Sequence, residues 1–280
     1  MSTFASYDGT RLAYHELGDG PALLCVPGGP GRASAYLGDL GGLSAYRRLI
    51  LLDNRGTGDS DVPADPATYR CDRLVEDVEA LRAHLDLDPL DLLGHSGSGG
   101  ICLQYAARYP DRLRSLVLVA PSAQTVGLDL PDDEWLDAMR RRSGESWYAE
   151  AYAAMERLMA GDVTAENRFA ASPFAYGRWT EVAATHAASD ASQRSAAASA
   201  GFRAEGWLGD PQRTRAVLGS LAAPALVLGG DLDPAPPARL LRELAALFRD
   251  GRAVILPDSG HFPWLDDPAG FVAAVRAFLG

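Results

Sequence analysis

One serine lies among glycines between a short apolar run and a predicted helix, and this segment constrains the fold more than any other part of the chain. Residues 92–100 read LLGHSGSGG, with Ser96 where the pattern G-x-S-x-G places a nucleophile. Such a serine lies on a very tight turn, so the residues two before and two after it must be small. Gly94 is small, and Ser98 replaces the second glycine with another small residue. The segment predicts a strand-turn-helix unit that holds Ser96 at the start of a helix.

Apolar runs typical of buried strands alternate with helical patterns on both sides of this segment. The predicted strands are residues 3–7 and 11–17, which flank the turn pair Asp8-Gly9, then 22–26, 47–52, 90–93, 113–120, 225–228 and 253–256. The predicted helices are residues 72–85, 101–109, 237–248 and 268–279. Strands that alternate with helices indicate an α/β fold, with a mostly parallel sheet and helices on both faces.

The pattern changes between residues 126 and 212, where strand-like runs are absent and apolar residues recur at helical spacing. We interpret this segment as a helical cap inserted into a core formed by residues 1–125 and 213–280. Its Ser/Ala-rich stretch, residues 187–200, fits either a helix or a mobile loop. The segment carries 14 Asp and Glu against 8 Arg, a balance that favours a cationic substrate end or serves solubility alone.

Composition excludes several classes of function. The formal charge of −11 argues against nucleic acid or an anionic membrane surface as a partner. All 26 basic residues are arginine, and a chain without lysine performs neither Schiff-base chemistry nor P-loop phosphate binding. The three widely spaced cysteines indicate small buried side chains rather than disulfides. With no signal-like segment and no run approaching ~20 apolar residues, we expect a soluble cytoplasmic protein of undetermined oligomeric state.

The residues downstream of Ser96 supply the partners that a serine nucleophile needs. Its hydroxyl requires a base to take the proton and an acid to orient that base. Both are expected on loops that follow later strands, in the order serine, acid, histidine. His261 follows the strand 253–256, and both Asp231 and Asp233 follow the strand 225–228. We favour Asp233 because it lies further beyond the strand end, before a proline that fixes the turn, and Asp231 stays as the alternative.

Two backbone N–H groups are predicted to bind the oxyanion of a tetrahedral intermediate, those of Gly97 and Gly29. Gly29 belongs to the loop 27–31, PGGPG, which taken alone is a tight turn. His95 is expected to line the pocket with a side chain that leaves the turn in another direction from Ser96. The remaining histidines are interpreted as structural, and they are His15, His84 and His186. The glycines do not match a dinucleotide-binding pattern, and the chemistry needs neither metal nor cofactor.

Together with residues 53–60, DNRGTGDS, these motifs resemble the proline iminopeptidase family of α/β-hydrolases over nearly the whole chain. Members typically show His-Gly-Gly-Pro-Gly, Asp-Gln-Arg-Gly-x-Gly-x-Ser and a tryptophan after the nucleophile. Pro27, Asn54 and Gly97 stand at the differing positions. The resemblance implies an α/β-hydrolase fold with a cap, and release of an N-terminal residue, preferably proline, from a peptide or amide.

The same resemblance implies cap carboxylates that pair with the free amine of the substrate. The candidates are Glu181 and Glu205, and Trp179, two positions before Glu181, is expected to contact the substrate as well. For each glutamate, a solvated helix position is the alternative interpretation.

Three hypotheses follow from these residues. The first is a serine hydrolase of prolyl aminopeptidase type that acts on a small molecule or short peptide. The second is an esterase, thioesterase or lactonase, since the same groups serve any acyl substrate of suitable reactivity. The third is a binding protein that keeps the fold and captures a ligand without turnover. Epoxide and haloalkane hydrolysis on such a fold usually demand an aspartate nucleophile, and Ser96 argues against both.

Overall fold

An eight-stranded sheet runs through the computed structural model, which describes residues 1–280. Its strands are β1 (Ser2–Ala5), β2 (Arg11–Leu17), β3 (Ala22–Val26), β4 (Arg48–Leu52), β5 (Leu90–His95), β6 (Leu113–Val119), β7 (Ala225–Gly230) and β8 (Gly251–Leu256). They lie in the order β1-β2-β4-β3-β5-β6-β7-β8. The pairs β1–β2 and β2–β4 are antiparallel, and all later neighbours are parallel. The carboxyl ends of the parallel strands therefore meet at one edge.

Twelve α-helices surround the sheet. They are α1 (Cys71–His84), α2 (Ser98–Arg108), α3 (Asp132–Arg140), α4 (Tyr148–Met159), α5 (Ala165–Ala171), α6 (Glu181–Ala188), α7 (Asp190–Gln193), α8 (Ala196–Phe202), α9 (Pro211–Leu218), α10 (Ala238–Ala245), α11 (Pro263–Asp266) and α12 (Pro268–Leu279). None of them combines the length and apolar character needed to cross a lipid bilayer.

Each face of the sheet carries its own apolar core. Successive side chains of a strand point to opposite faces, and Leu92 and Leu93 of β5 belong to different core clusters. The cluster around Leu92 includes buried residues of α1, α2 and α10, whereas the cluster around Leu93 includes residues of α11, α12 and α6. Strands of a sheet that is covered on both faces are apolar over nearly their whole length because both sets of side chains are buried. Every residue of β5 and β7 is buried, as this arrangement requires. The predicted α/β fold class is confirmed.

The connection between β6 and β7 contains the helices α3 to α9 and no strand. A small apolar cluster of its own includes Met139, Ala151 and Phe174. The Ser/Ala-rich stretch 187–200 falls within α6, α7 and α8 and the turns between them. The predicted division at residue 212 falls inside α9, whose Leu218 is buried in the core cluster around Leu92. This last helix of the connection therefore packs as part of the core, and we keep the name cap for α3 to α8.

Candidate active site

The turn between β5 and α2 holds Ser96 in a backbone conformation that few side chains adopt. Its φ angle is 56°, in the left-handed region, which for a residue other than glycine persists only where the surrounding structure enforces it. The amide of Ser96 donates to the Val119 carbonyl at 2.9 Å, which fixes the turn against β6. A Cβ added to Gly94 would lie 2.5 Å from the Cys102 sulfur, so the strand and helix approach closely only because this position is glycine.

Ser98 occupies the motif position that usually holds glycine, and its hydroxyl has a structural use. The Ser98 Oγ lies 2.7 Å from the Val26 carbonyl oxygen and 2.8 Å from the His95 carbonyl oxygen, and the side chain is buried. The single hydroxyl hydrogen therefore serves two acceptors, one on β3 and one on the last residue of β5. The departure from the motif adds a polar link between the turn and the neighbouring strand.

Ser96, His261 and Asp233 form a continuous hydrogen-bonded line. The Ser96 Oγ lies 2.8 Å from His261 Nε2, and His261 Nδ1 lies 2.7 Å from Asp233 Oδ2. Asp233 is buried, and its other carboxylate oxygen accepts from the Ala235 amide at 2.9 Å. A neutral imidazole with its proton on Nδ1 satisfies both contacts. The alternative acid, Asp231, is exposed and makes no side-chain hydrogen bond, so the structure brings Asp233 to the histidine.

The amides of Gly29 and Gly97 face the same space beside Ser96. A Cβ built on Gly97 would lie 3.8 Å from the Gly29 nitrogen, and neither amide donates a hydrogen bond within the protein. Gly29 has a φ of 124°, a conformation that L side chains rarely adopt. Two unpaired N–H groups next to a nucleophile form the geometry that stabilises a developing oxyanion.

Gly28 brings the loop that contains these groups against the turn. A Cβ at Gly28 would lie 2.4 Å from the His95 carbonyl oxygen and 2.8 Å from Ser96 Cβ. Because the first of these atoms belongs to the backbone, it cannot move aside as a flexible side chain would. The loop therefore approaches Ser96 only with glycine at this position.

His95 borders the site, as expected, but both of its ring nitrogens are engaged by the protein. The Tyr36 hydroxyl accepts from the Gly28 amide at 2.7 Å and lies 2.6 Å from His95 Nδ1, and His95 Nε2 lies 2.9 Å from the His261 carbonyl oxygen. These partners fit a neutral ring protonated on Nε2. Burial, followed by the neighbouring His261 and Arg32, holds the pKa of His95 well below its ordinary value. His95 thus connects the loop before Gly29 to the backbone of His261.

Two cavities open onto Ser96, and Gly29 and His261 border both. The larger cavity, about 450 Å³, lies between the core and the helices α5, α6 and α7. The second cavity, about 340 Å³, lies between the loop after β6 and α10, and small or aliphatic residues make up much of its wall. Sites for small molecules are concavities of this size with a few polar groups in an otherwise apolar lining. The nucleophile therefore lies where two arms of a substrate could meet.

The predicted amine-binding residues lie elsewhere. Glu181 is in the exposed first turn of α6, Glu205 is in the exposed segment after α8, and neither borders either cavity. Trp179 is also outside both cavities and packs against the rings of Tyr176 and Phe169. The expectation that these three residues contact the substrate is corrected, because Glu181 and Glu205 face solvent and Trp179 packs against other aromatic rings outside the cavities at Ser96.

The larger cavity contains a charged group that the sequence did not single out. Asp190 accepts hydrogen bonds from Arg194 at 2.5 and 2.9 Å, and it lies 3.4 Å from Arg168 Nε and 3.7 Å from Arg32 Nε. Burial opposes ionisation of Asp190, but the hydrogen bonds and charges of these arginines lower its pKa below the ordinary value. Three cations thus face one anion. The acidic balance of the cap is compatible with a substrate that has a cationic end. The charged side chains that border the larger cavity, however, carry a net positive charge.

One further group of acidic residues and histidine has the composition of a metal site. Ligand atoms of His15, Asp53 and Asp59 lie within 4.8 Å of one another. The Asp53 carboxylate already accepts from the Ser34 amide at 2.7 Å and the Asp59 amide at 3.0 Å, and none of the three residues borders the cavities at Ser96. These contacts give Asp53 the role of holding the loop 53–60, and we assign no metal to it.

The sheet, the turn at Ser96 and its partners define a serine hydrolase. Residues 21–268 match the model of the alpha/beta hydrolase fold family, and the chain belongs to this family.

Among curated proteins, the chain is similar to a proline iminopeptidase from Heyndrickxia coagulans, 33% identical over 121 residues, which cover 42% of each chain. It is also similar to the 2-hydroxymuconate semialdehyde hydrolase of Pseudomonas sp. strain CF600, 29% identical over 276 residues, covering 97% of this chain and 91% of that protein. Among solved structures, a thermophilic esterase from Thermogutta terrifontis superimposes with a TM-score of 0.70 at 25% identity, covering 99% of this chain and 97% of that one. The match thus spans less than half of the proline iminopeptidase.

Proposed function

We propose that this chain hydrolyses small carboxylic esters or lactones through an acyl-enzyme intermediate. The observation that carries the proposal is the line of contacts from Ser96 Oγ through His261 to Asp233, with distances of 2.8 and 2.7 Å, at the junction of two cavities. In this arrangement a base lies within hydrogen-bond distance of the nucleophile, and a buried carboxylate orients the base.

The first half of the reaction forms the acyl enzyme. His261 Nε2 takes the proton of the Ser96 hydroxyl as Oγ adds to the carbonyl carbon, and the amides of Gly29 and Gly97 donate to the resulting oxyanion. The tetrahedral intermediate collapses, the bond to the alcohol oxygen breaks, and His261 returns the proton to that oxygen. Asp233 remains ionised and holds the imidazole through Nδ1.

The second half repeats these steps with water. His261 takes a proton from water, the hydroxide oxygen adds to the acyl carbon, and the bond to Ser96 Oγ breaks as the serine regains a proton. An ester yields an acid and an alcohol, whereas a lactone yields one hydroxy acid. Thioesters follow the same course with a thiol as the leaving group.

The charge of the larger cavity favours esters over substrates with a free N-terminal amine. Asp190 is the one carboxylate that borders this cavity, and three arginines already surround it. A substrate ammonium placed there would meet a net positive charge, and like charges in a partly buried site repel strongly. The carboxylates proposed to receive such an amine, Glu181 and Glu205, border neither cavity.

A prolyl aminopeptidase is the second candidate. The similarity to a proline iminopeptidase over 121 residues and the motifs at 27–31 and 53–60 favour it. For this activity the substrate amine would have to displace an arginine from Asp190 or bind in the second cavity. The second cavity is bordered by one ionisable cation, Arg203, and no carboxylate. The ester hypothesis needs neither rearrangement.

A covalent probe and a substrate panel test the proposal together. A fluorophosphonate should label the wild type and the Ser220→Ala control, whose serine is exposed outside the site, and should leave Ser96→Ala unlabelled. At equal concentrations, short acyl esters, a γ-lactone and an acyl thioester should be turned over faster than L-proline 4-nitroanilide. Faster turnover of the anilide would establish the aminopeptidase instead. Absence of both labelling and turnover would leave a ligand-binding protein.

A further inference from the structure

We propose that Arg32 and Arg168 form an anion-binding subsite in the larger cavity, and that the preferred substrates carry a carboxylate in addition to the ester. The inference rests on the proposed ester hydrolysis and names the substrate class for the same site. The residues come from two separate elements, the loop after β3 and helix α5, and both border the cavity that opens onto Ser96.

The first argument is the imbalance of charge. Arg32, Arg168, Arg194 and Asp190 are the charged side chains that border the larger cavity, apart from histidines. Arginine stays protonated in proteins, so the wall carries three positive charges against one negative charge. A substrate with one carboxylate would reduce the remaining imbalance, whereas a substrate amine would increase it.

The second argument is which donors remain free. Arg194 is occupied, because it donates to Asp190 through Nε and Nη2 and to the carbonyls of Gly29 and Pro30 through Nη1. Arg32 donates through Nε and Nη2 to three acceptors of the cap, but its Nη1 has no acceptor in the protein. Arg32 is only 5% exposed and borders the larger cavity, so these two N–H groups are available to a ligand in that cavity.

Arg168 is in a similar state. Its buried Nε lies 3.4 Å from Asp190 Oδ2 but makes no hydrogen bond, and its Nη1 makes one long contact, 3.4 Å, to the Val163 carbonyl. A buried donor left unpaired is costly, and a charged donor more so than a neutral one. Two guanidinium groups with free donors on one cavity wall therefore provide planar, bidentate recognition of the kind that carboxylates favour.

The partly buried histidine near these arginines, His186, does not change the charge of the cavity. His186, whose ring packs against Tyr36 and Tyr176, donates through Nε2 to the Tyr36 carbonyl. Burial and then the charge of Arg32 lower the pKa of His186 to about 4. The ring is therefore neutral near pH 7 and adds no further charge. The unpaired positive charge belongs to the arginines that line the cavity.

Matched substrates separate charge from shape. Monoethyl adipate and ethyl adipamate differ only by carboxylate or amide at the end of the acyl arm, and 4-acetoxybenzoate and 4-acetoxybenzamide differ in the same way on the leaving group. Hydrogen bonds to a charged partner lead us to expect, in at least one pair, a kcat/KM about 10- to 100-fold higher for the carboxylate. This difference should appear mainly in KM, because the subsite binds an arm that does not react.

Arg168→Met is the principal variant, since its side chain is 29% exposed and its loss removes one long contact to the Val163 carbonyl and one 3.4 Å ion pair with Asp190. Asp190 keeps both hydrogen bonds from Arg194 in this variant. Arg168→Met should abolish most of the carboxylate preference and change kcat/KM for the matched amide less than about threefold. Arg32→Met should also reduce the carboxylate preference. A cooperative urea unfolding transition is the control that this variant still folds. Arg178→Met removes an exposed cap arginine that borders neither cavity, and it should keep the wild-type preference.

Equal kcat/KM within both pairs for the wild type would overturn the inference while leaving ester hydrolysis intact. A preference for the carboxylate substrate that remains in both Arg168→Met and Arg32→Met would also overturn the inference. If no member of either pair is hydrolysed, calorimetry on Ser96→Ala decides, since binding needs no turnover. Tighter binding of monoethyl adipate or 4-acetoxybenzoate than of its amide supports the subsite, and equal binding overturns it. Failure of the proposed hydrolysis is seen separately, as absence of fluorophosphonate labelling in the wild type.

Discussion

Tyr36→Phe removes one oxygen atom that connects the loop 27–31, which we call the oxyanion loop for its proposed role, to the backbone of His261 through His95. The Tyr36 hydroxyl is buried, accepts from the Gly28 amide at 2.7 Å and lies 2.6 Å from His95 Nδ1. His95 in turn lies 2.9 Å from the His261 carbonyl oxygen. Phenylalanine preserves the ring and its contacts with Phe262 and Trp264, so the change isolates the hydroxyl.

The expected loss of stability follows from the two groups that would lose their partner. A buried donor or acceptor left unsatisfied costs about 1–3 kcal/mol, and the substitution leaves the Gly28 amide and the His95 ring nitrogen in this state. The free energy of unfolding should therefore fall by about 2–6 kcal/mol, a large share of the roughly 5–15 kcal/mol typical of folded domains.

The variant should also lose activity, because both freed groups adjoin the reacting atoms. Gly28 precedes a proposed oxyanion donor, and a displacement near 1 Å in an active site costs about 100-fold in rate. We expect kcat for a short acyl ester to fall by about 10- to 100-fold, with a smaller change in KM. Urea unfolding and initial rates on the same preparation measure the two effects.

Tyr105→Phe is the matched control. The Tyr105 hydroxyl is buried in α2 and donates to Glu79 at 2.8 Å, and Glu79 also pairs with Arg82. The same chemical change should cost about 1–2 kcal/mol of stability and leave kcat unchanged. A Tyr36→Phe variant that keeps the wild-type kcat would refute the reasoning, since the hydroxyl would then hold the fold but not the site.

Three further predictions concern the acid, the turn and the response to pH. Asp233→Asn should lower kcat by about 10⁴-fold because the imidazole loses its orienting carboxylate. Asp231→Asn should stay within about threefold of the wild-type kcat in the same ester assay. Equal losses in the two variants would refute the assignment of Asp233 as the acid. Ser98→Gly restores the usual motif residue but removes the hydroxyl that contacts two carbonyls. The free energy of unfolding measured with urea should therefore fall by about 1–2 kcal/mol, and a more stable variant would contradict this. Burial and Arg32 lower the pKa of His186 to about 4, so the unfolded state binds more protons between about pH 4 and 6.5 and stability rises with pH across that window. His186→Gln should reduce this rise by up to about 1.4 kcal/mol per pH unit, measured by urea unfolding, and an unchanged slope would show that the ring is not the group responsible.

The sequence was sufficient for those parts of the fold that local patterns determine. Predicted and observed limits agree for β2 and β3, whose apolar residues end at turn formers, and for α12, which begins at Pro268. The helix after Ser96 begins at Ser98, three residues before the predicted start, because glycines and serine carry no helical periodicity. The serine, acid and histidine could be placed in one site because the carboxyl ends of parallel strands meet at one edge of the sheet.

The lining of the larger cavity could not be predicted in this way. Its charged residues come from a loop of the core, from α5, from α7 and from the residue that follows α7. Their convergence depends on the angles at which short cap helices pack, and periodicity does not encode those angles. The net acidic composition of the whole cap does not predict the charge of the cavity, because most of the acidic residues are exposed and Asp190 alone borders the cavity. The fold therefore follows from local patterns in the sequence, whereas the charge that a substrate meets depends on how the cap helices pack.

Contacts between the cap and the oxyanion loop make substrate choice and chemistry interdependent in this chain. Arg194 donates to the carbonyls of Gly29 and Pro30, the Ser195 amide donates to the Gly31 carbonyl at 2.8 Å, and a Cβ on Gly31 would lie 2.6 Å from the Ser199 hydroxyl. The cap thus fixes the backbone of Gly29, one of the two proposed oxyanion donors. Because Arg194 also holds Asp190 among the arginines of the larger cavity, a change that rearranges those charges also acts on the loop beside Ser96. Substitutions at Arg194 should therefore alter kcat as well as KM. Substitutions at Arg168 should act mainly on KM, because Arg168 pairs with Asp190 at 3.4 Å but makes no hydrogen bond to the loop.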